Sequence, residues 1–338
     1  MPLGHRSRRL AGALALGLLA TALSATSASA VTYKKAGDGA QITKQTWINS
    51  RMFDITVSTP SIPDSPKVRV IVPKGWSAKA KRTWPVVYAY QGGNNTYTSW
   101  SQDSQITSLA AQYDVMVVMP EGGKNGGYAD WFNYGKGGPP KWETFHTQEV
   151  VQLLERNFRA GTSRASLGVS SGAQGSISYA ERHHGMFKYA VSLSGTLHIS
   201  DPLIEGLLMT QALGFSFDPT RIYGTPVANQ ANWEAHDPYV NLAKLRGIGL
   251  YISSGTTGAP AACDSWNAGN FVTGPLVGGG GEFIIGQTNE QFIAKLNQLR
   301  IPATVDLYGN GWHSWCNWKP QLAKAWPIVM RSIGAKKF

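Results

Sequence analysis

The chain has 338 residues, with 42% hydrophobic and 11% aromatic residues, enough to fill one large core or two modest ones. Its 38 Gly and 18 Pro follow no G-X-Y period and only 15% of residues are charged, which excludes collagen, a disordered chain and a long coiled coil. A net charge of +11 suits a nucleic-acid binder or an exported protein that meets anionic surfaces, and composition does not separate the two.

Residues 1–30 have the three parts of a secretion signal. Arg6, Arg8 and Arg9 form a basic start, Leu10 to Leu23 an apolar stretch, and Ala28-Ser29-Ala30 a small-residue cleavage site. The apolar stretch is shorter than the roughly 18–20 residues that span a bilayer, so cleavage after Ala30 is expected rather than anchoring. The adjacent arginines also permit twin-arginine export. Removing the segment leaves a secreted chain of residues 31–338 with charge +8, since three arginines and no acid are lost. The remaining Lys and Arg form no linear basic stripe with a recognition motif, so no nucleic-acid partner is expected. Peripheral contact with an anionic cell envelope is.

The mature chain is expected to be one domain, without repeats or a long linker. Arg51–Ser58, Lys67–Val72 and Pro85–Tyr90 are predicted strands, rich in Val, Ile and aromatics. The continuous apolar run Val115–Met119 fits a buried parallel strand. Helix is predicted at Glu149–Phe158, strand at Ala165–Val169 and helix at Ser171–Arg182. Tyr189–Leu193, Gly249–Ile252 and Ala303–Leu307 complete the interior strands, with helices at Leu203–Leu213, Asn289–Leu299 and Gln321–Ile333. Residues 259–281, which carry the run Gly278–Gly281, are predicted to be a long loop. Alternating strands and helices imply a mostly parallel sheet covered on both faces.

The sharpest local signal is G-V-S-S-G at Gly168–Gly172, with an apolar strand before it and a helix-compatible segment after it. That context is what a nucleophile elbow requires, with Ser170 lifted above the carboxyl edge of the sheet. The backbone N–H of Ser171 would form one side of an oxyanion hole, and Gly93, in the strand-to-glycine segment Tyr88–Asn94, the other. A serine hydroxyl needs a base. His313, in G-N-G-W-H-S-W after the last strand, has the late, loop-borne position that the order serine, acid, histidine demands. His146, His183, His184, His198 and His236 fit that order less well. Position alone leaves two acids, Glu282 at the end of the glycine run and Asp264 beside Cys263. In an oxidising compartment Cys263 and Cys316 are expected to pair, which would bring Asp264 near His313. Two cysteines without H-E-x-x-H or C-x-x-C do not make a zinc site. Neither metal nor organic cofactor is expected.

Together these blocks resemble the antigen 85/mycolyltransferase branch of the esterase D superfamily. They are Q-G-G-N at 91–94 with Trp100, M-P-E-G-G at 119–123, Asp130-Trp131, K-W-E-T-F at 141–145, G-V-S-S-G, S-L-S-G at 192–195, W-E-x-x-D-P at 233–238 and G-x-H-S-W at 311–315 with Trp318. The resemblance implies an α/β-hydrolase fold, a mostly parallel central sheet with helices on both faces. It places the nucleophile on Ser170, the base on His313 and the oxyanion amides on Gly93 and Ser171. It favours Glu282, with Phe292 ten residues on, over Asp264. The implied activity is acyl transfer through acyl-Ser170 to a sugar or glycerolipid alcohol; the alternative is a secreted carboxylic-ester hydrolase with the same triad, and a third reading is a non-catalytic surface-binding protein. A monomer is expected, with an acyl ester as donor and an alcohol or water as acceptor. Gln91, Asn94, Trp100 and Trp315 are the expected substrate contacts. Members acting on trehalose resemble D-G-L-R where this chain has Gln91-Gly92-Gly93-Asn94, so the charged pair that would hold that sugar is missing.

Overall fold

The computed structural model describes Met1 and residues 32–124, 126–214, 218–265 and 272–338. The segment read as a secretion signal lies outside the described residues apart from Met1. Tyr33–Phe338 form one compact unit.

Nine strands make one sheet: β1 (Gln41–Asn49), β2 (Met52–Ser58), β3 (Lys67–Ile71), β4 (Trp84–Tyr90), β5 (Met116–Pro120), β6 (Ala160–Val169), β7 (Tyr189–Leu193), β8 (Gly249–Gly255) and β9 (Thr304–Gly309). Their order is β1-β2-β3-β5-β4-β6-β7-β8-β9. The pairings that join β1, β2, β3 and β5 are antiparallel. All pairings from β5 across to β9 are parallel. This is the α/β-hydrolase arrangement. β4 lies between β5 and β6, so chain connections leave it in opposite directions and open a crevice beyond its carboxyl end, where α/β sheets place their ligands.

Burial explains the strand signals. Every residue of β5 and β7 is buried, as continuous apolar runs covered on both faces require. One face packs Val86, Tyr88, Tyr90 and Ile252 with the helices Val150–Phe158 and Ser171–Arg182. The other packs Val87, Ala89, Val117 and Leu167 against Leu322, Trp326 and Met330 of the helix Trp315–Ser332. A smaller cluster of Ile199, Ile204, Ile222 and Trp233 lies under the helix Pro202–Gly214, which leaves Leu203 exposed. Among the described residues no helix is long and apolar enough to cross a membrane.

Besides short helices that were not expected, such as Ser99–Asp103 and Gln230–Ala235, and an earlier start of the last helix at Trp315, three departures from the sequence reading bear on the sheet and the site. β1 was not expected; it is an edge strand with little burial, so it lacks the apolar alternation that marks a strand. The helix expected at Asn289–Leu299 begins eight residues earlier and spans Gly281–Gln298. Val272–Gly280, expected to be loop, winds as a wide π-type helix that runs into it. Glycine is a poor helix former, and here tertiary packing outweighs that preference: a β-carbon on Gly279 would stand 2.6 Å from the Gly258 carbonyl oxygen.

Candidate active site

β6 delivers Ser170 at the crevice. Its φ of 54° and ψ of −127° lie outside the regions ordinary residues occupy, a strain of roughly 1–3 kcal/mol that the surrounding packing must hold. The packing does so by close approach. A β-carbon on Gly168 would stand 2.0 Å from the Gly172 carbonyl oxygen, and one on Gly172 2.3 Å from that of Gln91. The elbow thus has two glycines because β6, its helix and β4 meet there with no room for side chains. The Ser170 N–H donates to the Leu193 carbonyl (2.9 Å), and its own carbonyl accepts from the Ala173 and Gln174 N–H groups. Ser171 is the first residue of the following helix, where amide hydrogens have no intrahelical acceptor.

The loop after β4 approaches from the other side, where a β-carbon on Gly92 would stand only 3.3 Å from the Ser170 β-carbon. Asn94 N–H is taken by the Lys124 carbonyl (2.7 Å) and Asn95 N–H by that of Gly92 (3.2 Å). Among the described residues no backbone acceptor takes the Gly93 or Ser171 N–H, which leaves both amides available in the way expected of oxyanion donors.

His313 Nδ1 and Glu282 Oε2 are 2.6 Å apart. Glu282 is fully buried in the first turn of the helix Gly281–Gln298. Its other oxygen, Oε1, accepts from the Gly255 N–H (2.7 Å), the Ser194 hydroxyl (2.7 Å), the Tyr308 hydroxyl (3.0 Å) and the Ser254 hydroxyl (3.2 Å). Trp318 Nε1 donates to Ser194 Oγ (2.9 Å), which fixes that hydroxyl as acceptor from the indole and donor to the carboxylate. Burial alone would raise the Glu282 carboxyl. The His313 bond and charge, with Ser194 and Gly255, overcome that and hold it below the usual carboxylate range. Tyr308 is driven strongly upward by burial and then by the Glu282 charge, so it stays a donor. This cage leaves Glu282 charged and the imidazole oriented.

Asp264, the other acid considered, does not bond His313. Its Oδ2 accepts from Trp312 N–H (2.9 Å) and Ala261 N–H (2.9 Å), its Oδ1 from the Ser314 hydroxyl (3.1 Å), and Asn317 Nδ2 reaches both oxygens. It therefore grips the residues on either side of His313. Cys263 and Cys316 form the expected disulfide, with Cα atoms 6.1 Å apart, across the same two segments.

The four expected substrate contacts differ in exposure and bonding. Trp100 is 1% exposed and donates to the Tyr90 carbonyl (2.9 Å), and Gln91 is 1% exposed with its amide nitrogen on the Asn95 (2.7 Å) and Gly123 (3.2 Å) carbonyls. Both brace the fold, because the β4 loop leaves main-chain carbonyls that need donors. Trp315 is half-buried and meets the Trp100 and Trp318 rings edge-on, while Asn94 is exposed. Sequence reasoning missed Ser194 and Tyr308. A positive φ of 49° at a buried serine is a structural mark with no sequence counterpart, although Ser194 lies in the S-L-S-G block.

The chain is similar to several known proteins. Residues 59–328 match the family described as Esterase. The chain is 29% identical over 231 residues to Esterase Rv1288 of Mycobacterium tuberculosis, which is 67% of this chain and 50% of that protein, so it spans about half that relative's length. It is 30% identical over 267 residues to the diacylglycerol acyltransferase/mycolyltransferase Ag85B of Mycobacterium intracellulare, covering 74% of this chain and 76% of that protein. The crystal structure of Mycobacterium tuberculosis MPT51 (FbpC1) superposes with a TM-score of 0.66 at 20% identity, covering 82% of this chain and 97% of that one, a likeness of fold. The chain belongs to the esterase family, has the α/β-hydrolase fold, and is related to the antigen 85 acyltransferases and to esterases alike.

Proposed function

We propose that the protein is an exported carboxylic-ester hydrolase that works through an acyl-Ser170 intermediate. The observation that carries the reading is the joining of an elbow serine, two uncommitted amides and a caged His313–Glu282 pair at one edge of the sheet. His313 takes the Ser170 proton as Oγ attacks the ester carbonyl, and the oxyanion rests on the Gly93 and Ser171 amides. The C–O bond of the tetrahedral intermediate breaks, His313 returns the proton to the departing alcohol, and acyl-Ser170 remains. Water deprotonated by His313 then releases the acid and restores the serine. Export rests on the pattern of residues 1–30 and on the disulfide.

Transfer to an alcohol is the second reading, supported by the relationship to Ag85B over three quarters of the chain. Against sugar transfer stands the β4 loop, where Gln91 is turned inward and Asn94 is uncharged. The test offers a p-nitrophenyl acyl ester series to the mature protein, with and without glycerol, sugar and diacylglycerol. Fast hydrolysis with no acylated acceptor is expected, and Ser170→Ala should lower kcat by about 10⁴-fold or more. Accumulation of acylated acceptor above hydrolysis would install the second reading, and full activity in Ser170→Ala would end both.

A further inference from the structure

The topology separates charge between the two ends of the sheet. Because β4 to β9 are parallel, the segments that enter them share one edge, and Ser170 lies at the opposite one. The antiparallel pairs bring the β1–β2 turn to the entry edge as well, since Met52 pairs with Ile71, where β3 ends, and Asn49 with Met52. The C-terminal tail joins it, with Lys337 bridged to Tyr113 just before β5.

The residues at this edge are 50–51, 73–83, 111–115, 159, 183–188, 246–248, 299–303 and 334–338. They carry eleven Lys and Arg and one acid. That acid, Asp114, is already paired with Arg82 and the Trp84 indole. Lys74, Lys79, Lys81 and Arg82 all lie exposed in the one segment before β4. The opposite edge is near balance: the segments 91–98, 121–124, 126–141, 194–201, 256–264 and 310–314 hold four acids and three lysines. Cations strung along the chain at intervals of tens of residues are thus gathered by the fold onto one edge.

Apolar side chains stand beside them. Trp47 and Ile48, near the β1–β2 turn, are each 47% exposed, and Trp47 lies 6.1 Å from the Trp76 ring within the lysine-rich segment. Phe338, 62% exposed, follows Lys336 and Lys337. Lysines need only an anion, but an exposed indole and isoleucine among them fit an interface with an apolar layer beneath its charge.

We infer that the edge at which the parallel strands begin is a docking face for the surface of an anionic phospholipid bilayer. Docked this way the protein holds Ser170 toward the aqueous side. The lysines meet lipid phosphates while Trp47 and Ile48 enter the headgroup layer, and the opposite edge, near charge balance, offers no such attraction, so one orientation is selected. The enzyme would dwell on a membrane while acting on esters that come from solution.

The test is co-sedimentation of the mature protein with vesicles of phosphatidylcholine alone or with one third phosphatidylglycerol, at low and high salt. Binding is expected on the anionic vesicles only, falling at high salt. Lys79→Glu/Lys81→Glu should weaken it at least about tenfold, since each lysine near a charged surface contributes measurably. Trp47→Ala should weaken it less, and Ile48→Ser provides a variant at an exposed site if the loss of Trp47 disturbs folding. All variants should hydrolyse soluble p-nitrophenyl acetate at the parent rate, and vesicle-bound enzyme should do so too. Equal binding to both vesicle types, or charge reversal without effect, overturns the inference. So does tight binding of inorganic polyphosphate by a protein that leaves anionic vesicles in the supernatant.

Discussion

At the level of single residues the site divides two acids by what each carboxylate touches. Glu282 spends one oxygen on His313 and the other on Gly255, Ser194 and Tyr308, whereas Asp264 spends both on the frame around His313. Their replacements should therefore differ in kind. Glu282→Gln keeps the shape but removes the charge that stabilises the imidazolium, so kcat should fall by about 10³–10⁴-fold with KM little changed. Asp264→Asn loses charge-assisted bonds to Trp312 and Ser314 without touching the imidazole. A cost of about 1–3 kcal/mol in stability is expected, with a smaller fall in kcat. Parallel measurement of kcat and of urea midpoints checks both, and equal kcat losses would refute the division. Much of this was legible: G-x-S-x-G, the late histidine and two acid candidates were all in the sequence. Position alone did not choose between the acids, because that depends on where a helix begins; the family resemblance did, and it favoured Glu282. Ser194 and Tyr308 were not legible, since their roles arise only when β7, β8 and β9 lie side by side.

At the level of elements, the legible parts were those whose signal is local. The strands β4 to β8 were found because continuous apolar runs need cover on both faces, although β6 begins five residues before its expected start. β9, expected as an interior strand, is an edge strand with no buried residue, and the helix after Ser170 kept its expected bounds. The glycine-rich segment before Glu282 did not, since the composition of Val272–Gly280 favours loop and only long-range packing makes it helical. The same stretch of chain shows why a disulfide is useful here. Cys263–Cys316 closes 53 residues of sequence separation and ties the segment after β8 to the helix that follows His313. Replacing both cysteines by alanine should cost about 2–4 kcal/mol. Because Asp264 grips the same loop, the double variant should lose stability before it loses catalysis. A lowered thermal midpoint with kcat within about threefold of the parent is the expected pair of readings. A large fall in kcat at unchanged midpoint would instead make the disulfide part of the catalytic geometry.

The whole molecule answers to pH through buried groups whose protonation differs between folded and unfolded chains. Glu149 is fully buried, accepts from the Thr59 and Ser61 hydroxyls, and is raised to about 7, by burial first. His146 is equally buried between the Tyr179 hydroxyl (2.9 Å) and the Glu121 carbonyl (2.8 Å), and burial lowers it to about 4. From the ordinary glutamate value of 4.5 up to about 7, folded Glu149 keeps a proton that the unfolded chain gives up, so its contribution is lost as pH rises. Between about 4 and 6.5 the unfolded chain binds a proton that folded His146 refuses, so that contribution, on the order of 2–3 kcal/mol, grows as pH rises. Glu282 lies outside the shared window, since its lowered carboxyl costs stability only below the ordinary range. The two slopes oppose each other between pH 4.5 and 6.5, but they are not alone there. Burial also raises Glu181 well above the ordinary carboxyl value, raises Glu121 and Asp237, and lowers His236. The parent slope is the sum of all of these, and each substitution is read as a change against it. Relative to the parent, Glu149→Gln should turn the dependence of the midpoint on pH upward across that window, and His146→Gln should turn it downward. Thermal unfolding followed at half-unit steps of pH separates these slopes from any uniform loss of stability. If the Glu149→Gln curve runs parallel to the parent curve, Glu149 does not hold its proton in the fold and the account of its burial is wrong.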